Sequence, residues 1–407
     1  MQDEENVSFE DLLSGPVPAA RIRRPRRWLR LLLASLGGLA VIATAATIDL
    51  RHFLWGAVPV LDANPGFGTN EGFGSPFDTP VVSPDGRTLY VHSNTNRITP
   101  VSTATEKTAA PIQVSGRGSV ATMAITPDSR TLFAAMVDTS TSTEPGLPLA
   151  RVDLRTGRET GQVDIPGGAS DFIMARDGKT LYVVSAFRFI VDANNDVTGE
   201  VHSALYAVNA ATGQTERQIP VAAGLLENEA GMVLSPDDGT LYLAETDPAS
   251  GAGTVVAVSL RTGQPGRAVD LDDPPTALAI TPDGRTLYVT TDGMAGELGQ
   301  EGPNSVTVID TATDQVRATI PWEAQPMYLT MAPNGKVVWV VSVTGARETT
   351  ADNTVTPIAV ATNHPGPSFH TSGWLNYQNW PSAAAISPDS RTLYVAVNSG
   401  LETFHVS

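Results

Sequence analysis

The chain has no cysteine, and its 407 residues include only six histidines and 6% aromatics. Without cysteine there is no disulfide, no cysteine-ligated zinc, no iron–sulfur cluster and no thiol nucleophile. The histidines, at 52, 92, 202, 364, 370 and 405, show neither zinc spacing nor a His-Glu-x-x-His pair. Basic residues are also scarce: 26 Lys and Arg stand against 43 Asp and Glu, a net charge of −17. That balance argues against a nucleic-acid partner, whose phosphates demand a basic face. No Gly-x-Ser-x-Gly elbow and no phosphate loop occurs. The glycine-rich Gly66–Gly72 lacks dinucleotide spacing and follows no βαβ unit.

Turn formers, by contrast, are abundant. With 36 Gly and 30 Pro in a chain that is 41% hydrophobic, the composition suits a globular protein of many short strands.

The first fifty residues read as a membrane address. Residues 1–30 form a polar tail that ends in Arg21, Arg23, Arg24, Arg26, Arg27 and Arg30, and Leu31–Ile48 carries no charge. As a helix, 18 residues span about 27 Å, close to the hydrocarbon thickness of a bilayer. The arginines place the N-terminus inside the cell and everything beyond residue 50 outside it. The expected organisation is a cytoplasmic tail (1–30), a transmembrane helix (31–50), a linker (51–57) and an exported domain (58–407). The alternative is a secreted protein whose signal peptide is cut near Ala43–Ala45. The long tail and long apolar run favour the anchor. Arg26-Arg27-Trp28-Leu29 faintly resembles a twin-arginine export signal, a pattern that an arginine-rich flank produces by chance.

The exported part repeats one unit seven times. Ser83-Pro-Asp-Gly-Arg-Thr-Leu-Tyr-Val91 recurs almost unchanged as Thr281–Val289, and variants occupy 126–134, 175–183, 235–243, 332–340 and 387–395. The shared Asp or Asn falls at 85, 128, 177, 237, 283, 334 and 389, at irregular spacings of 43 to 60 residues. A fixed unit with loops of variable length is the mark of a repeat architecture. Pro presets φ, Asp suits the next position, and Gly takes a left-handed one, so each copy is a hairpin turn. Leu-Tyr-Val then forms a strand. A second hairpin follows in most units, as in Val306–Asp310 with Gln315–Ile320. Four strands per unit and seven units predict an all-β, seven-bladed β-propeller. The repeats resemble those of the YVTN-type β-propeller family, of pattern V-I-D-x-x-T-x-x-V…S-P-D-G-x-x-L-Y-V. The resemblance covers about residues 58–407 and implies an exported or surface protein.

The last unit ends one strand short, and Val58–Leu61 lies ahead of the first unit with no partner. That segment is expected to close the ring beside Leu401–Val406, which removes an exposed edge. Strand order sends both short turns of every blade to one side of the disk. The long connections, including 64–79 and 367–382, emerge on the other. These two flank the junction of blades seven and one. They hold Phe67, Phe73, Phe77, Phe369, His370, Trp374, Tyr377 and Trp380. Trp and Tyr pair an apolar body with a polar handle, which suits a protein, peptide or carbohydrate ligand. The same rings, fully buried, would be a clasp between loops.

One stretch has calcium character. Asp192, Asn194 and Asp196 place oxygens at alternate positions, as a calcium loop does. Val197 stands where the turn glycine belongs, and Ser203 where the closing Glu belongs. No other cofactor is expected. The repeated turn aspartates are expected to bond their own backbone. With no sequence-local catalytic set, the expected function is a binding or protein-interaction module. The alternative is a propeller-type hydrolase or lactonase with its site at the central channel mouth.

Overall fold

Every copy of the repeat folds as the hairpin its residues require. The computed structural model describes residues 61–67, 80–371 and 381–406, apart from 93–94, 117, 138–146, 186–187, 192–196, 202, 222–228, 248–249, 294–302, 345–351 and 398–399. In each copy the residue after the Asp or Asn donates its N–H to the first turn residue, as Gly86 does to Ser83 at 2.8 Å. That donor has positive φ in all seven: Gly86, Ser129, Gly178, Asp238, Gly284, Gly335 and Ser390. The second hairpins turn in the same way at Glu106, Gly157, Gly213, Gly263, Asp314 and Asn363.

The strands assemble into seven antiparallel blades. Blade 2 shows the pattern: Ser119–Ile125 innermost, then Thr131–Val137, Leu149–Asp153 and Arg158–Val163. Blade 1 begins at Val81, blade 3 at Ala169, blade 4 at Glu229, blade 5 at Pro275, blade 6 at Gln325 and blade 7 at Pro381. Blade 3 carries an added hairpin, Arg188–Val191 with Val197–Val201. The outer edge of blade 6 is split between His364–Pro365 and Phe369–His370.

Blade 7 is completed by the other end of the chain. Pro381–Ile386, Thr392–Val397 and Gly400–Val406 take Leu61–Phe67 as their outer strand. Among the described residues the closing strand is Leu61–Phe67; of the expected Val58–Leu61 only Leu61 is described, and it pairs with Val406, while residues 64–67 belong to the strand rather than to a loop. Asn64-Pro65-Gly66 reads as a turn, but the register shifts between Asn64 and Phe67. A bulge on an edge strand accommodates a Pro that a central strand would reject.

The core lies between blades. Seven buried clusters fill the seven seams, one each. Alternation in the second strand explains this: Leu241 packs toward blade 3 and Tyr242 toward blade 5. The seam of blades 7 and 1 is filled too, by Leu89, Val91 and Val101 against Tyr394, Ala396 and Leu401. Fully burying such a side chain contributes about 1.5–3 kcal/mol, which rewards closure.

Candidate functional site

Antiparallel order puts the connections between strands one and two, and three and four, on one face of the disk. The connections between strands two and three, and from blade to blade, lie on the other. The first may be named the turn face and the second the loop face.

On the turn face the carboxylates are structural. Asp85 Oδ1 accepts from the Ser83 hydroxyl at 2.6 Å and from the Arg87 N–H at 3.1 Å. Thr126–Asp128, Ser235–Asp237, Thr281–Asp283 and Ser387–Asp389 repeat the hydroxyl bond. In all five pairs that bond is the main force holding the Asp below its ordinary 3.8. The repeat aspartates are thus committed to their own turns.

The turns also touch one another around the ring. Where the left-handed residue is Gly, the Pro of the preceding blade sits on it. A Cβ on Gly178 would lie 2.7 Å from Pro127, on Gly284 3.1 Å from Pro236, on Gly335 3.2 Å from Pro282 and on Gly86 3.7 Å from Pro388. Where the residue is Ser or Asp, its side chain caps the preceding turn. Ser129 accepts from the Asp85 N–H, Asp238 from those of Arg176 and Asp177, and Ser390 from that of Asn334. Every seam is bridged by one device or the other. At the Gly86–Pro388 seam, where the contact is loosest, a cavity of about 290 Å³ opens beside Asp85, Thr103, Asp389 and Tyr394.

On the loop face, the first strands of blades 2 to 7 carry a bulge near their start, as between Glu229 and Gly231 or Pro275 and Ala277. Ser170, extra in the blade 3 bulge, is exposed and donates to the Val184 carbonyl. Bulges re-aim side chains and recur beside functional sites.

Of the aromatic candidates, Phe67 pairs with Leu401 at the loop-face end of the closing strand. His370 is exposed and pairs with Thr354 at the loop-face end of blade 6. Both therefore occupy the outer strands of adjacent blades, toward the rim rather than the channel. Phe369 is half-buried against the core of blades 6 and 7, which holds Trp339 and Leu393; it serves as a clasp. Phe73, Phe77, Trp374, Tyr377 and Trp380 lie outside the described residues, as do Asp192, Asn194 and Asp196. Among the described residues no group of three or more His, Asp or Glu is placed to hold a metal ion.

One carboxylate stands apart. Glu245 occupies the place in its blade that Ser185, Thr291 and Ser342 take in others, two residues past the last Leu-Tyr-Val-type position. Those hydroxyls are satisfied: Ser185 accepts from the Ala204 N–H, Thr291 pairs with Ser305, and Ser342 accepts from the Trp322 indole. Glu245 is half-buried, its Oε1 is shut from solvent and has no hydrogen-bond partner, and burial pushes its carboxyl up to about 7. Nearby, burial raises Asp273, helped by the charges of Asp272 and Asp292. Aligning the repeats at Leu-Tyr-Val would have exposed Glu245 as the odd residue; the crowding of Asp273 needs the fold.

No protein-family model matches the chain. Antigen Lp49 of Leptospira interrogans serogroup Icterohaemorrhagiae serovar copenhageni is 25% identical over 187 residues, which cover 44% of this chain. The match spans 36% of that relative's own length. A solved structure of Kuenenia stuttgartiensis hydrazine synthase superposes with a TM-score of 0.61 at 20% identity, over 83% of this chain and 98% of its own. At that identity the likeness is one of fold. The described residues form an all-β, seven-bladed propeller of four-stranded blades, an architecture suited to binding or interaction.

Proposed function

We propose that this protein is a membrane-anchored, extracytoplasmic interaction module of the YVTN propeller type, working through its loop face. One observation carries the reading: every long connection leaves the ring on that face, while the turn face is trimmed to tight hairpins bonded to one another. Loops on a rigid scaffold are where binding residues collect. The anchor is the apolar run Leu31–Ile48 with its N-terminal arginines. An antigen among the relatives agrees with display outside the cell. The ligand is a protein, peptide or carbohydrate met by Phe67, Phe73, Phe77, His370, Trp374, Tyr377 and Trp380. Calcium at Asp192, Asn194 and Asp196 is a secondary proposal of the same kind.

Trp374→Ala and Trp380→Ala in the full chain test the site. Each is expected to leave stability within about 0.5 kcal/mol while abolishing co-purification of a partner from membranes. A loss of about 3–5 kcal/mol in both would place them in a core and remove them from the site.

A further inference from the structure

The cavity at the closing seam has a wall made almost wholly of hydrogen-bond acceptors. It opens between blades 7 and 1 on the turn face, with a volume of about 290 Å³. That is close to the lower end of small-molecule pockets, roughly ten waters' worth of space. Asp85, Thr103, Ser387, Asp389, Thr392 and Tyr394 line it, beside the Pro388 ring. Thr103 spends its proton on the Gly86 carbonyl and Ser387 spends its own on Asp389 Oδ1, both at 2.6 Å. Asp85 and Asp389 meet their turns through Oδ1. Among the described residues, Oδ2 of neither has a hydrogen-bond or ion-pair partner. The hydroxyl bonds, helped by the charges of Arg87 and Arg391, hold both carboxyls below the ordinary 3.8.

The seam is also left unfinished by the protein. Between blades 5 and 6, the Tyr288 hydroxyl crosses to Asn363 at 2.6 Å. Tyr394, 5% exposed, holds the same place in blade 7, but the left-handed residue opposite is Glu106. No bond crosses there. The phenol has only Thr392 on its own strand, and burial, with the charges of Asp389 and Glu106, raises its pKa. Thr403 pairs with Tyr394 across the strands and so shares its side, toward blade 1. It is 3% exposed, and its hydroxyl has no hydrogen-bond partner. A buried polar group left in this way calls for an explanation. We propose that the cavity binds a small hydroxylated primary amine, an amino sugar in size and chemistry. An ammonium brings three donors and no acceptor, which matches a wall of acceptors. Charge-assisted bonds to the two free Oδ2 atoms hold it. The ring hydroxyls meet Thr103 and Thr392, and the apolar face of the sugar meets Pro388 and the edge of Tyr394. A metal ion fits less well, because no three His, Asp or Glu among the described residues are placed to hold one. The site lies on the turn face and does not depend on the loop-face reading.

The test is isothermal titration of the full-length chain with glucosamine, below neutral pH so that the amine is protonated. Glucose and N-acetylglucosamine keep the ring and lose the charge. The cavity variant is Asp85→Asn/Asp389→Asn. Asn preserves the turn, as Asn334 does naturally by accepting from the Lys336 N–H at 2.9 Å. The control, Asp128→Asn/Asp283→Asn, makes the same change in blades 2 and 5. Glucosamine is expected to bind with a Kd of about 1 mM or tighter, and the two neutral sugars about tenfold more weakly. The cavity variant should weaken glucosamine binding about tenfold and the control less than about twofold. Tyr394→Phe, which keeps the packing, should weaken it about threefold. Absence of binding at about 20 mM, equal binding of glucose, or equal weakening by both double variants would overturn the proposal. So would displacement of glucosamine by an equal concentration of calcium, which would make this a metal site. If the cavity variant fails to fold, Tyr394→Phe decides, and undiminished binding there removes the site.

Discussion

A carboxylate with no partner reports on itself through pH. Glu245 titrates at about 7 in the folded protein against an ordinary 4.5. Between those values the native state holds a proton that the unfolded chain has released, so stability falls as pH rises through the window. The turn aspartates act oppositely. Their folded values lie below the ordinary 3.8, so their stabilisation is complete above that pH and is lost as pH falls through the lower folded values. Urea midpoints should therefore peak near pH 5. Glu245→Gln should flatten the decline from pH 5 to 8 and leave the acid limb unchanged. An undiminished decline in the variant would mean that another group is responsible.

At the scale of the hairpin, the ring of turns explains why the repeat varies where it does. A left-handed L-residue costs roughly 1–2 kcal/mol. Ser129 recovers part of that by capping the Asp85 N–H. Gly178 cannot be replaced in the same way, because a Cβ there would lie 2.7 Å from the Pro127 ring. Gly178→Ala should cost about 1–3 kcal/mol in equilibrium unfolding, and Pro127→Ala in that background should return about 1 kcal/mol. Ser129→Gly should change stability by less than about 1 kcal/mol. Strict additivity of Gly178→Ala and Pro127→Ala would contradict the packed contact. The hairpins themselves were legible in sequence, since Pro-Asp-Gly and Leu-Tyr-Val are local instructions. Their mutual contacts were not, because Pro127 and Gly178 lie fifty-one residues apart and meet only in the ring. The limits of the closing strand were misread for a local reason: Asn64-Pro65-Gly66 has the chemistry of a turn, and only the partner strand turns it into a bulge.

For the whole molecule, closure decides both stability and function. Blade 7 is built from the two ends of the described chain, and the seam it shares with blade 1 has its own core. The same closure makes neighbours of the blades that flank the aromatic segments, so that Phe67 and His370 end their strands on one face. The number of blades and the need for a closing strand were readable from the repeats; the site was readable only as a composition of loops, because binding geometry depends on side chains drawn from separate blades. A cysteine-free chain permits a direct test. Asp62 and His405 are paired across the closing strand, and antiparallel partners sit about 4.5–5.5 Å apart at Cα, within disulfide range. Asp62→Cys/His405→Cys in the full-length protein, run on a non-reducing gel, should show a monomeric, internally cross-linked species that reductant reverses. A chain that stays uncross-linked under oxidising conditions, or that cross-links only between molecules, would contradict closure of the ring by its N-terminal strand.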